Sequence, residues 1–208
     1  NFFEEVAKYR AGRRIWARMM KEEFAAGKPA SQMLRVACVC GGHSLQKAEP
    51  LNNIARLTVE TMAVTMAGLQ SVFTAAYDEA FSIPTELAAK TSLRIQQIVN
   101  YETDVPKTID PLGGSWFVES LTDAMEAKVL EIMDKIEQRR GMVECLRTGW
   151  LQSQIAQRAY EWENKVKTGA EKIVGVNVFG SEEAPQEVEI YEVDPRLDLI
   201  KGYGGALV

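Results

Sequence analysis

Two short apolar runs without a helical period constrain the fold of this chain more than any other feature. They are MLRVACVC, residues 33–40, and QSVFTAAY, residues 70–77, and both predict buried strands. Helical patterns lie before, between and after them, over 2–24, 51–68 and 84–102. A strand, a helical crossover and a second strand favour parallel pairing, so the first hundred residues predict a parallel α/β unit.

The strand residues that we expect to be buried are Val36, Cys38, Val72 and Phe73, with helices covering their outer side. Cys38 and Cys40 are then a core residue and a thiol at the rim, and not a metal pair. The chain has a single histidine, so a structural zinc site has no credible ligand set.

The second half of the chain has a different pattern. A turn-rich connector at 103–117 leads into a helix over 121–140, for which Ser120 and Asp123 are candidate N-caps. Further helix follows, and then a short strand-like run at 172–179. We divide the chain into an α/β segment at 1–104, a helical extension that ends in a short strand at 105–180, and an acidic, partly solvated tail at 181–208.

Composition excludes several classes of protein. A net charge of −5 and a sequence pI near 5.2 argue against a nucleic-acid-binding surface, which needs clustered basic residues. No apolar run approaches the roughly 20 residues that span a bilayer. Three cysteines make no disulfide framework, which fits a reducing, cytoplasmic location.

Polar side chains follow each predicted strand. In parallel α/β folds, ligands bind where the carboxyl ends of the strands lead into loops, so both loops are candidate sites. The first loop begins Cys40, Gly41, Gly42, His43, Ser44, and the second contains Tyr77, Asp78 and Glu79.

Each of these residues also has a structural interpretation. The glycine pair can simply form a turn with no contact to a ligand. The Asp78–Glu79 pair can cap a short helix, and a loop histidine such as His43 can simply be exposed. Gln70, at the start of the second strand, can be a solvated or backbone-bonded amide. The residues alone predict the C-terminal piece of a parallel α/β protein with a ligand site.

Five long motifs occur in order along the chain. They are FFEEVAKYRAGRRIWA, EPLNNIARLTVETMA, AGLQSVFTAAYDEAFSIPTELAAK, DPLGGSWFVESLTDAMEAK and IVGVNVF. Together they resemble the adenosylcobalamin-dependent acyl-CoA mutases, and above all the large subunit of the methylmalonyl-CoA type. That family has a (β/α)8 TIM barrel as its substrate domain. The resemblance therefore implies that the two strands are the last two of a barrel, followed by a helical linker region toward a cobalamin-binding domain.

The resemblance also implies a reaction and its residues. The reaction is a radical carbon-skeleton rearrangement of an acyl-CoA of the methylmalonyl-CoA/succinyl-CoA type, with adenosylcobalamin as the cofactor. Gln70 and Glu79 match family positions near the adenosyl group, where a glutamate can accept hydrogen bonds from both ribose hydroxyls. Gly41, Gly42 and His43 lie in the loop expected to contact the substrate, and His43 is the candidate catalytic residue.

Several positions depart from the family pattern. Ala37 and Val39 replace a histidine and a glutamine, Ala75 replaces an asparagine, and His43 and Leu112 replace tryptophans. Losing polar groups from the floor of the site changes which acyl group fits. The alternatives are therefore isobutyryl-, hydroxyisobutyryl- or ethylmalonyl-CoA specificity, or a non-catalytic assembly module in which residues 120–169 mediate subunit contact.

The resemblance implies partners as well. The upstream barrel strands and the Asp-x-His-x-x-Gly motif that ligates cobalt are not among these 208 residues. Asn1, followed by Glu4 in the form of a capping box, suggests a chain cut from something longer. We expect the chain alone to be inactive and to work with the remaining barrel segment and a cobalamin-binding domain or subunit, in a dimer or hetero-oligomer.

Overall fold

The computed structural model describes residues 1–180 and 188–192, and this part of the chain is mixed α/β and mostly helical. The helices and strands predicted for the first hundred residues are confirmed, and the structure adds a short helix between the first long helix and the first strand. In chain order the elements are α1 (Phe2–Glu22), α2 (Pro29–Gln32), β1 (Ala37–Cys40), α3 (Asn52–Met66), β2 (Ser71–Thr74), α4 (Glu86–Glu102), a 3-10 turn (Val105–Lys107), α5 (Trp116–Glu137), α6 (Met142–Arg147) and α7 (Trp150–Lys167).

The two strands pair in parallel, as predicted. Ala37 lies opposite Ser71, and Cys40 lies opposite Thr74. The pairing continues past the strands, because the backbone N–H of Ala75 donates to the carbonyl of Cys40 at 2.9 Å. With α3 as the crossover, this unit is compatible with part of a (β/α)8 barrel.

The two faces of the sheet have opposite surroundings because side chains alternate along a strand. Val39 and Phe73 lie opposite each other and are 66% and 63% exposed. At the next position, Cys40 and Thr74 are buried on the other face. The hydroxyl of Thr74 lies 2.9 Å from that of Thr61 on α3, so this face packs on the helices.

The predicted burial of Phe73 is therefore wrong. Its side chain is on the face that no helix of the described residues covers. Val36, Cys38 and Val72 are half-buried and not fully buried as predicted, and Cys40, predicted at the rim, is the more buried of the two cysteines. An unbroken apolar run conceals this alternation, since it gives no sign of which face the helices cover.

Two apolar clusters hold the fold together. One joins the loops after β1 and β2 to α3 and α4: Leu45, Leu57, Ala75, Ala76, Tyr77, Ala88 and Ile95. The other joins α1, α3 and α5: Val6, Ala63, Ala67 and Val118.

A row of arginines fixes α5 to α1. Arg10, whose side chain is 10% exposed, contacts Asp110 and lies 2.5 Å from a carboxylate oxygen of Glu119. Since residues four apart share one face of a helix, the arginines four and eight residues after Arg10 meet α5 in the same way. Those pairs are Arg14–Asp123 at 2.7 Å and Arg18–Glu126 at 2.7 Å.

The start of α5 differs from the prediction. The helix begins at Trp116, and the hydroxyl of its N-cap, Ser115, accepts a hydrogen bond from the N–H of Val118 at 3.5 Å. Ser120 and Asp123 therefore lie inside the helix and do not cap it. The connector therefore ends at Ser115, before the predicted start of the helix at 121.

Two further local predictions are wrong. Asn1 is the N-cap of α1, but its side chain makes no capping hydrogen bond, so no capping box forms. Residues 172–179 form a turn instead of a strand, in which the N–H groups of Val176 and Asn177 both donate to the carbonyl of Ile173 at 3.1 Å. The Asn177 side chain closes this turn by accepting from the N–H of Ile173 at 2.7 Å.

The predicted acidic tail lies partly outside the described residues, at 181–187 and 193–208. Its described part, 188–192, has no helix or strand. There Val188 packs against the first apolar cluster, and the carbonyl of Tyr191 accepts from the hydroxyl of Ser82 at 3.1 Å. Among the described helices, none combines the length and apolar character needed to cross a bilayer.

Candidate functional site

The carboxyl ends of β1 and β2 lie side by side, so the two polar loops begin at one edge of the sheet. A cavity of about 860 Å³ adjoins the end of β1. Its walls come from α1, α3, α7 and the turn at 172–174, and its lining includes Gly41, His43 and Ser44. The predicted first loop therefore borders a ligand-sized space.

The two glycines of this loop have different roles. Gly41 has a φ of +94°, and a Cβ there would lie 2.7 Å from the Cβ of Ala75 and 3.0 Å from Leu57. Its N–H donates to a carboxylate oxygen of Glu60 at 2.6 Å. Gly42 has a φ of +108°, but a Cβ there would meet no atom within 4 Å. Close packing therefore requires glycine at 41, whereas at 42 only the backbone conformation favours it.

His43 is exposed beside the cavity. Its ring lies edge-on to the indole of Trp162 on α7, with centroids 6.3 Å apart and planes at 75°. Within the described part of the chain, its ring nitrogens make no hydrogen bond. The imidazole is thus free to bind a ligand group, and substrate contact stays a prediction.

Asp78 has a structural role, although it does not cap a helix itself as the sequence interpretation proposed. It is 1% exposed, and its Oδ2 accepts from both the N–H and the hydroxyl of Thr85, at 2.9 and 3.0 Å. Thr85 in turn caps α4 by accepting from the N–H of Ala88. Asp78 therefore holds the start of α4 in place.

Glu79 differs from its neighbour. Its side chain is only partly exposed to solvent, and its carboxylate makes no hydrogen bond or ion pair with any residue that the structure describes. Partial burial of the carboxyl group and, secondarily, the charge of Asp78 raise its pKa above the ordinary value. The acid pair thus divides into one buried structural carboxylate and one free carboxylate at the rim.

Gln70 lies at the opposite end of β2. Its Oε1 accepts from the N–H of Val36 at 3.0 Å, and its Nε2 donates to the carbonyl of Gly68 at 3.3 Å. The four residues of β2 span about 13 Å, so the structure does not bring Gln70 and Glu79 together. Gln70 lines a separate cavity of about 430 Å³ and ties the amino ends of the strands together.

The cavity beside β1 is also lined by the thiols of Cys38 and Cys40 and by Tyr9, a contact that the sequence did not predict. The hydroxyl of Tyr9 on α1 donates to the sulfur of Cys38 at 3.1 Å. Burial raises the pKa of Tyr9, and burial together with Cys38 raises the pKa of Cys40 to about 12. Tyr9 and Cys40 therefore stay protonated at neutral pH. Tyr9 has no local motif, because only the packing of α1 on β1 brings it here.

Comparison with known proteins agrees with the motifs. The family profile described as methylmalonyl-CoA mutase matches residues 1–199. The chain belongs to the methylmalonyl-CoA mutase family. It is 43% identical to the 2-hydroxyisobutanoyl-CoA mutase large subunit of Aquincola tertiaricarbonis. It is 40% identical to the methylmalonyl-CoA mutase of Cereibacter sphaeroides and 36% identical to the mitochondrial methylmalonyl-CoA mutase of Homo sapiens.

These matches cover most of this chain but a small part of each relative. Each includes 93% of the chain, against 34%, 27% and 26% of the three relatives in the same order. The chain therefore spans about a third or less of the length of the mutases it matches. The predicted resemblance is confirmed at the level of the family.

Proposed function

We propose that this chain is part of an adenosylcobalamin-dependent acyl-CoA mutase. In this proposal, residues 1–104 supply the last two strands of the substrate barrel, and 105–180 form the linker region. The observation that carries it is the bare face of the parallel sheet, where Val39 and Phe73 are exposed. Parallel sheets are ordinarily covered on both faces, so this face is suited to meet further strands and a ligand.

The proposal requires partners. Two strands cannot enclose an acyl-CoA, so we expect the 208-residue chain alone to be inactive. It would work with the remaining barrel segment and a cobalamin-binding domain or subunit, in a cytoplasmic dimer or hetero-oligomer. Its family membership and the helix-covered outer face of the sheet support this arrangement.

The free carboxylate of Glu79 fits the adenosyl part of the cofactor. It lies beyond the carboxyl end of β2, and it can accept hydrogen bonds from two hydroxyls. When bound, adenosylcobalamin supplies the radical chemistry, and this chain would help to orient it and to exclude water. Gln70 fits less well, since its amide would first have to release Val36 and Gly68.

The exposed sheet face favours an acyl group that carries no free carboxylate besides its thioester. Ala37 and Val39 give this face an apolar surface, and burying a carboxylate on it without a partner is costly. The imidazole of His43 offers a hydrogen bond to a substrate hydroxyl or to the thioester. We therefore propose a hydroxyisobutyryl or isobutyryl substrate ahead of methylmalonyl-CoA.

The test is turnover by the assembled enzyme. This chain is expressed with the remaining mutase segments and supplied with adenosylcobalamin and four substrates: methylmalonyl-, isobutyryl-, 2-hydroxyisobutyryl- and ethylmalonyl-CoA. We expect isomerised product from at least one branched acyl-CoA, and none when this chain is omitted. If the segments assemble and bind cofactor but isomerise nothing, the chain is a non-catalytic assembly module and the proposal is wrong.

A further inference from the structure

Helix α7 touches the candidate site through one aromatic contact. None of its residues is buried, yet Trp162 meets the ring of His43 edge-on, with centroids 6.3 Å apart. Both rings line the cavity beside β1. Edge-to-face pairs at this separation are attractive, so the indole favours one placement of the imidazole.

The turn after α7 keeps the helix in that place. Arg56 at the start of α3 donates to the carbonyl of Val174 at 2.6 Å and to the side-chain oxygen of Asn53 at 2.8 Å. The amide of Asn177 donates to the carbonyl of Val166 near the end of α7, at 2.8 Å. The last turns of α7 are thus tied to the helix that follows the His43 loop.

The loop itself offers little to orient His43. His43 follows two glycines at positive φ, and no hydrogen bond from the described residues reaches its imidazole nitrogens. Among the contacts of the described residues, the aromatic pair with Trp162 is the one that orients this ring.

We infer that Trp162 is a positioning residue, which holds the imidazole of His43 over the mouth of the cavity. The helical region therefore shapes the acyl-CoA site through this side chain, although it contributes no strand. This inference rests on the proposed function for the identity of the ligand. The contact itself can be tested without turnover.

The first experiment uses the single histidine of the chain. With ¹³C-labelled histidine, the 208-residue chain gives one set of imidazole signals in a ¹H–¹³C correlation spectrum. Trp162→Ala should shift these signals by removing the ring current of the indole, and Trp162→Phe should shift them less. The control is Trp150→Phe, about three turns earlier on α7, which should leave them unchanged. Signals that stay in place in Trp162→Ala would overturn the inference.

The second experiment uses the assembled mutase and its best acyl-CoA. Trp162→Ala should raise KM about two- to tenfold, the range of one aromatic pair, with little change in kcat. Trp162→Phe should restore most of the affinity, and Trp150→Phe should match the parent. Parent-like kinetics in Trp162→Ala would refute the role while leaving the proposed function intact. An inactive parent enzyme would refute the proposed function, and the acyl-CoA part of this inference with it.

Discussion

The neighbouring acids Asp78 and Glu79 should respond to mutation in opposite ways. In Asp78→Ala, the N–H and hydroxyl of Thr85, itself 6% exposed, lose their acceptor. A hydrogen bond to a charged group contributes about 1.5–3 kcal/mol, and a buried donor left without a partner carries a penalty of its own. Because both bonds share one oxygen, we expect the free energy of unfolding to fall by about 3–5 kcal/mol.

Glu79→Gln is the matched control for this measurement. The Glu79 carboxylate has no partner among the described residues, so the free energy of unfolding of this variant should stay within about 0.5 kcal/mol of the parent. Urea unfolding of the 208-residue chain, followed by circular dichroism, measures both variants, and equal m-values would show that the same surface unfolds. If Asp78→Ala unfolds no earlier than Glu79→Gln, Asp78 does not hold the start of α4.

Activity should reverse this order of sensitivity. In the assembled mutase, Glu79→Gln should lose at least tenfold in turnover or in adenosylcobalamin affinity, because a charge-assisted hydrogen bond to the cofactor weakens. Cofactor titration and initial rates measure the two quantities separately. Parent-like values for both would remove Glu79 from the cofactor site and leave only the structural role of Asp78.

Three smaller tests follow from the same structure. Burial raises the pKa of Glu79 above its ordinary 4.5, so the unfolded chain loses this proton at a lower pH than the folded chain. As the pH rises through the window above 4.5, the free energy of unfolding of the parent should therefore fall relative to that of Glu79→Gln. Below this window the stability curves of the two proteins should meet. Gly41→Ala should cost about 2–5 kcal/mol in urea unfolding, from strain plus overlap, whereas Gly42→Ala should cost only about 1–2 kcal/mol; equal losses would contradict the packing role. Of the three thiols, Cys38 should react first with a thiol reagent at pH 8, and Cys40, with a pKa of about 12, should react only after unfolding.

Local patterns in the sequence determined the parallel unit. Apolar runs without a helical period, separated by a helical crossover, have essentially one favourable arrangement, and β1 and β2 adopt it. The motifs likewise indicated the family, because five ordered segments leave little room for coincidence. Cap residues follow less directly from local sequence, and the N-cap of α5 is Ser115 and not the predicted Ser120.

Tertiary structure alone decided which side chains face the site. Asp78 and Glu79 are adjacent and chemically alike, yet one meets Thr85 and the other meets solvent. Phe73 lies in an apolar run but on the uncovered face of the sheet. Trp162 reaches His43 because the turn after α7 is bound to α3. Periodicity and propensity act over a few residues, whereas the partner across a cavity depends on how distant elements pack.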